Sequence, residues 1–246
     1  MADYDNRLLR GAATTADTMD MGLRAHMLRV YNYMTAALAL TGVVAYVVAN
    51  TPALLGTLYH MTPQGLQPTI LGWVVMFAPI GMVLLLSFRI NHMSQGAAQA
   101  TFWAYAALMG ASLSSILLIY TGASVALTFF VTAATFGTMS LYGYTTKRDL
   151  TAFGSFLFMG LIGLLIASLA NMFFQSPMVS FVVSVLGVLI FTGLTAWDTQ
   201  KIKNTYYEVG HDGALAGKAA VMGALALYLD FINIFLFLLR FMGDRK

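Results

Sequence analysis

The sequence predicts an all-α integral membrane protein, a bundle of seven transmembrane helices, and three observations carry that prediction. Of the 246 residues, 59% are hydrophobic and 9% charged, with a mean hydropathy of +0.76. An average soluble protein is about 25% charged, so a water-facing surface of this size cannot be covered with so few ions, and the same numbers exclude disorder. Between Arg29 and Lys147 the one Asp, Glu, Lys or Arg is Arg89. Leu, Met, Phe and Ala fill the apolar runs without strict alternation, which favours helices over a transmembrane barrel.

A membrane-crossing helix needs roughly 20 apolar residues at about 1.5 Å each. Residues 1–29 mix Asp3, Asp5, Arg7, Arg10, Asp17, Asp20, Arg24 and Arg29, and the apolar run after them is too long for a signal-peptide core. They read as a retained cytoplasmic tail before an uncleaved first span at 30–50. The remaining spans fall at 69–88, 98–120, 123–144, 151–174, 179–203 and 219–241, so that 30–241 is one transmembrane domain and 242–246 a short C-terminal tail. Turn residues mark the connections: Thr51-Pro52, Thr62-Pro63, Thr121-Gly122 and Ser176-Pro177. Pro79, inside the second span, reads as a kink, because neighbouring helices or water can satisfy the freed carbonyl.

Lys and Arg in the short loops set orientation. They alternate: present in the N-terminal tail, at Arg89, at Lys147 and Arg148, and at Lys201, Lys203 and Lys218, and absent from the intervening loops. The N-terminus is therefore expected inside. Seven crossings then leave Arg240, Arg245 and Lys246 outside, against the rule. The thirteen basic residues are spread over every cytoplasmic segment, so the net charge of +3 reads as topology and affinity for anionic lipid, with no nucleic-acid face. Cysteine is absent, which removes disulfides, thiolate metal sites and a cysteine nucleophile.

Eight of the ten acidic residues fall in tails or loops. The other two are Asp230, at the centre of the last span, and Asp198, near the cytoplasmic end of the sixth. A carboxylate at a span centre costs roughly 2.5–3.5 kcal/mol on insertion scales and is ordinarily interior, paired and functional. At 100° per residue Asp230 shares a side with Gly223, Asn233 and Phe237, and Asp198 with Gly187, Thr195, Ile202 and Thr205. The sixth helix is expected to run past Asp198 to about Lys203, which sinks that carboxylate below the interface. If the two face each other they cannot both ionise cheaply, and they would share one proton and titrate as a pair, a proton sensor. The plainer alternative pairs Asp198 with Lys201 or Lys203 and leaves Asp230 a protonated interhelical hydrogen bonder. Arg89, at the end of the second span, either snorkels to the headgroups or turns inward as a latch on Asp198.

No catalytic signature is present: G-x-x-x-x-G-K-[ST], H-E-x-x-H and G-x-S-x-G are all missing. Ser124 sits in a Gly-Ala-Ser turn, but His26, His60, His92 and His211 fall in tails, loops or span ends, so no base serves it and no zinc spacing exists. The sixteen Met residues read as adaptable packing. Function is expected to be non-enzymatic.

Three segments carry a family likeness: Gly193-Leu-Thr-Ala-Trp-Asp-Thr-Gln-Lys-Ile-Lys203, Ala224-Leu-Ala-Leu-Tyr-Leu-Asp-Phe-Ile-Asn-Ile-Phe-Leu-Phe-Leu-Leu-Arg240, and Met139-Ser-Leu-Tyr-Gly-Tyr-Thr-Thr-Lys-Arg-Asp-Leu150. On them the chain resembles a bacterial version of the Bax inhibitor-1 family of transmembrane Bax-inhibitor-motif proteins. The resemblance implies six helices around a central seventh, the bacterial inner membrane, and a pH-sensitive calcium leak. Asp198 and Asp230 match the family's paired aspartates and Arg89 its second-helix arginine latch, although only Ile90-Asn-His92 follows where some relatives carry a basic loop. Calcium prefers six to eight oxygens. Asp198 and Asp230, with Asn233, Thr195 and waters along an ion pathway, would bind it weakly and in transit. No ATP-binding motif could drive a pump, no resident cofactor is expected, and calcium and protons are the cargo. The resemblance also implies a second role, modulation of a membrane-anchored ATP-dependent protease through residues 1–29. An ordinary proton-coupled transporter is the third reading, without an inverted repeat to support it.

Overall fold

A computed structural model describes residues 2–62 and 65–246, with side chains from residue 20 onward except 61, 65 and 66. Helix α1 spans Ala2–Asn50, α2 Pro52–Leu58, α3 Ile70–Arg89, α4 Gln95–Ile119, α5 Gly122–Thr145, α6 Thr151–Phe174, α7 Pro177–Val209 and α8 Gly213–Met242. Seven segments among the described residues are long and apolar enough to cross a membrane. They correspond one for one to the expected spans, but three are longer. The helix of the first runs without a break through residue 29, the sixth segment reaches Val209 and the seventh starts at Gly213. Charged residues at these ends carry long or capping side chains that reach water while the backbone stays helical, so charge alone marks a helix end too early.

Residues 2–29 are thus a continuation of α1, with no turn separating a tail from the span. The first connection also differs from the expected simple loop. It holds α2, started by Pro52 at its first turn, and an antiparallel hairpin of β1, Tyr59–Thr62, and β2, Gly65–Pro68.

Four spanning helices begin on a hydroxyl cap. Thr69, Ser94, Thr121 and Ser176 accept from the amides of Gly72, Ala97, Ser124 and Val179. Near a bilayer such caps matter because the first-turn amides have no intrahelical acceptor. Asp212 does the same for α8, accepting from the Ala214 and Leu215 amides at 2.9 and 3.1 Å. In the α5–α6 loop, the hydroxyl and amide of Thr151 hold the Asp149 carboxyl below the usual carboxylate range. That contribution is present above the ordinary carboxylate pKa and is lost as pH falls through the lowered value.

Helix α8 is the axis. It packs against α1, α4, α5 and α7, while α3 and α6 lie outside, on α4 and α7. Its first half explains this position: Ala216, Gly217, Ala220, Gly223 and Ala224 are all buried. Lipid tails are as apolar as Leu, so membrane helices associate by close packing, and small residues permit it. A Cβ on Gly223 would touch Ile202 of α7 at 3.0 Å. The same device joins α5 to α7, where Gly143 lies against the backbone of Ala196 and an added Cβ would stand 2.8 Å from its Cα. Gly143→Ala should gain about 1 kcal/mol of helix propensity and lose more than that to overpacking. The net expectation is destabilisation by about 1–2 kcal/mol, read as a lower thermal midpoint in detergent; Gly163→Ala, which meets open space, should be neutral or stabilising.

Candidate functional site

Asp198 and Asp230 come from α7 and α8, which pack against each other, and their carboxyls are close enough to act on each other's charge. Their surroundings differ. Asp230 is 3% exposed, and its Oδ2 is buried without a hydrogen-bond partner. Asp198 is half-buried and lines a cavity of about 190 Å3 together with His26, Lys201, Ile202, Thr205, Ala219, Met222, Gly223 and Ala226. One carboxyl therefore reaches a space large enough for water, and the other sits behind it in the core.

The lysines proposed as alternative partners turn elsewhere. Lys203 Nζ donates to the Tyr144 carbonyl at 3.0 Å and lies over the Tyr144 ring. Lys201 stands over the Trp197 ring at 5.1 Å, close enough for its charge to act on Asp198 but outside contact distance of an ion pair. Arg89 is exposed, and among the described residues no ion pair joins it to a carboxylate. The inward latch is therefore not formed in this structure. Arg89 ends α3, an outer helix that packs on α4 with only weaker contact to α7 or α8, so its long side chain can keep the guanidinium in water.

Thr195 and Asn233 are satisfied on their own helices. Thr195 Oγ1 donates to the Phe191 carbonyl and Asn233 Nδ2 to the Leu229 carbonyl, each at 2.8 Å. Thr195 is fully buried and Asn233 half-buried.

Two features beside the pair escaped the sequence reading. His26 is 4% exposed, packs on Tyr206 at 5.1 Å, and presents a buried, unpartnered Nε2 among the residues of the Asp198 cavity. It falls within the expected tail 1–29, and the continuous helix α1 places it among buried residues. The second feature is a set of polar braces on the other side of α7. Tyr31 Oη bonds Ser140 Oγ at 2.6 Å, and Ser140 Oγ bonds Thr199 Oγ1 at 2.9 Å, tying α1, α5 and α7 together. Gln200 clamps the α5–α6 loop, accepting from the Leu150 amide at 2.8 Å and donating to the Arg148 carbonyl at 2.7 Å. Asp198 is thus followed by two residues that fix the rotation of α7. A period-3.6 count could have found this polar side, but not its partners.

Fold and site together define a multi-pass membrane protein whose central helix carries a carboxyl against that of its neighbour. The chain belongs to the Bax inhibitor-1 family: the family described as inhibitor of apoptosis-promoting Bax1 matches residues 23–246. Similar proteins include uncharacterized protein RP147 of Rickettsia prowazekii, 50% identical over the whole of both chains. An uncharacterized protein of Caulobacter vibrioides is 47% identical, again over the whole of both. Inner membrane protein YbhL of Escherichia coli is 46% identical over 92% of this chain and 94% of its own length.

Because the chain has no cysteine, single thiols report access cleanly. Thr205→Cys, in the cavity wall, should react with a water-soluble maleimide about tenfold or more faster than Thr195→Cys, which is 0% exposed. Equal rates would mean that the cavity is not reached by water.

Proposed function

We propose that this protein is a pH-sensitive calcium leak of the bacterial inner membrane, in which Asp198 and Asp230 are both the proton sensor and the transient calcium ligands. The observation that carries the reading is the asymmetric pair: two carboxyls on adjacent helices at the bundle axis, one at a cavity and one buried behind it. Inner-membrane placement is supported by the seven apolar helices and by the likeness to the inner membrane protein YbhL.

With one proton shared, an O–H···O bond links α7 to α8 and the pair carries a single charge. With none, two carboxylates repel at close range, and either the helices separate or a cation must lie between them. Calcium entering the cavity would meet Asp198 first and Asp230 next. Among the described residues no three His, Cys, Asp or Glu side chains cluster as a metal site. Two carboxylates completed by water fall short of the six to eight oxygens calcium prefers, which suits passage over storage. Protons and calcium compete for the same oxygens, so calcium occupancy falls as pH falls. The braces at Thr199 and Gln200 hold α7 in register so that a change at the pair is felt by α8.

Purified protein in vesicles loaded with a calcium dye should pass calcium at a rate that changes across about pH 5–8. Asp198→Asn and Asp230→Asn, which keep shape and remove the proton, should each flatten that profile. No pH-dependent flux in the unaltered protein would defeat the leak. A flux whose pH profile both variants leave unchanged would remove the pair from the gate.

A further inference from the structure

The far end of the bundle, away from the acidic pair, is built around the last residues of the chain. Asp198 and Pro177 are 21 residues apart on α7, roughly 30 Å at 1.5 Å per residue. There the chain folds back after α8. Tyr120 and Arg245 form a backbone bridge, the Thr121 amide donates to the Asp244 carbonyl at 3.1 Å, and the Lys246 amide donates to the Ile119 carbonyl at 2.9 Å. The Asp244 amide donates to Ser124 Oγ at 3.0 Å, and that hydroxyl faces the Asp244 carboxylate at 3.4 Å. Lys246 Nζ donates to the Leu117 carbonyl at 2.8 Å. The tail is fastened to the α4–α5 turn, and its one side-chain carboxylate is held toward Ser124.

This arrangement sets Arg245 beside Arg240 in the wall of a polar cavity of about 590 Å3, shared with Gln175, Ser180 and Ser184. Each guanidinium lies over an aromatic ring, Arg240 over Phe237 at 6.0 Å and Arg245 over Tyr120 at 5.9 Å. Among the described residues neither donates a hydrogen bond or meets a carboxylate. Two forks of five N–H donors each are left without a protein acceptor, and two like charges share one cavity. On the expected topology these are also the cations that stand on the wrong side of the membrane, against the positive-inside rule. Phe181 and Phe241, in tilted ring contact at 5.5 Å and about half exposed, form the apolar flank of the same cavity.

We propose that this cavity binds a phosphate group, and that the phosphate is the headgroup of an anionic phospholipid in the leaflet at this end. Guanidinium forks match phosphate oxygens in pairs, which Lys cannot do. The phenylalanine flank accounts for the lipid: a phosphate seated between the arginines leaves its acyl chains against Phe181 and Phe241. The anion neutralises the two cations in place, and the basic C-terminus is thereby kept at this face.

The test is native mass spectrometry of the full chain in neutral detergent with phosphatidylglycerol, phosphatidylcholine or inorganic phosphate. Phosphatidylglycerol should be retained in preference to phosphatidylcholine, and an Arg240→Gln/Arg245→Gln variant should weaken it about tenfold or more. Lys147→Gln/Arg148→Gln, which removes the same charge at exposed positions of the opposite end, should leave retention unchanged. Arg240→Lys/Arg245→Lys should recover part of the loss, separating charge from fork geometry. Equal retention of phosphatidylglycerol by the two glutamine variants overturns the site. Inorganic phosphate displacing the lipid at equal concentration keeps the phosphate site and assigns it to a soluble anion, which overturns the lipid assignment.

Discussion

A carboxyl at the middle of a membrane-crossing helix must be kept from lipid, and the arrangement of the bundle follows from that constraint at Asp230. On an outer helix it would face hydrocarbon at a cost of several kcal/mol. Helix α8 is therefore interior, walled by α1, α4, α5 and α7. Being interior demands close approach on four sides, and the Gly and Ala residues of its first half provide it. The second half is different: Phe231, Ile234, Phe235 and Leu239 fill the space with bulk. Asp230 lies where the small-residue half gives way to the large.

The neighbour that matters most is α7, and it is held in rotation as well as in position. Gly143 lets α5 touch the Ala196 backbone, Ser140 bonds Thr199, and Gln200 holds Arg148 and Leu150 of the α5–α6 loop. These three contacts bracket Asp198. A helix free to roll by one residue would turn the carboxyl about 100° away from α8. The polar braces are thus as much a part of the site as the carboxyls, since they convert sequence proximity on α7 into a fixed direction.

The seven spans and the two misplaced aspartates were legible because both depend on hydropathy and charge, which sequence displays directly. The continuity of α1 before Val30 and the helix extensions at Val209 and Gly213 were not, because a helix leaving the bilayer changes its solvent without changing its backbone. His26 was lost for that reason: its flanking arginines looked like a tail, while the same turns of α1 bring it to the Asp198 cavity. Sequence shows that an arginine ends the second span but not that this helix lies outside, packed on α4, with the arginine exposed. The turn between α2 and α3 was legible at Thr62-Pro63, but the short strands beside it carry no charge or clear alternation, and their pairing becomes readable only once Tyr59 and Pro68 are seen opposite each other.

The two ends of the bundle treat charge in opposite ways. Around Asp198 the lysines are diverted: Lys203 to a carbonyl and Lys201 to a tryptophan face. This leaves the acidic pair without a permanent salt bridge. At the other end the acid is diverted, Asp244 toward Ser124, and the arginines remain open. A fixed ion pair at either end would have silenced it, because a carboxylate or guanidinium already matched to a protein partner has little left to offer a ligand. With charges this scarce in the chain, each end keeps its charged groups responsive by satisfying the opposite sign elsewhere.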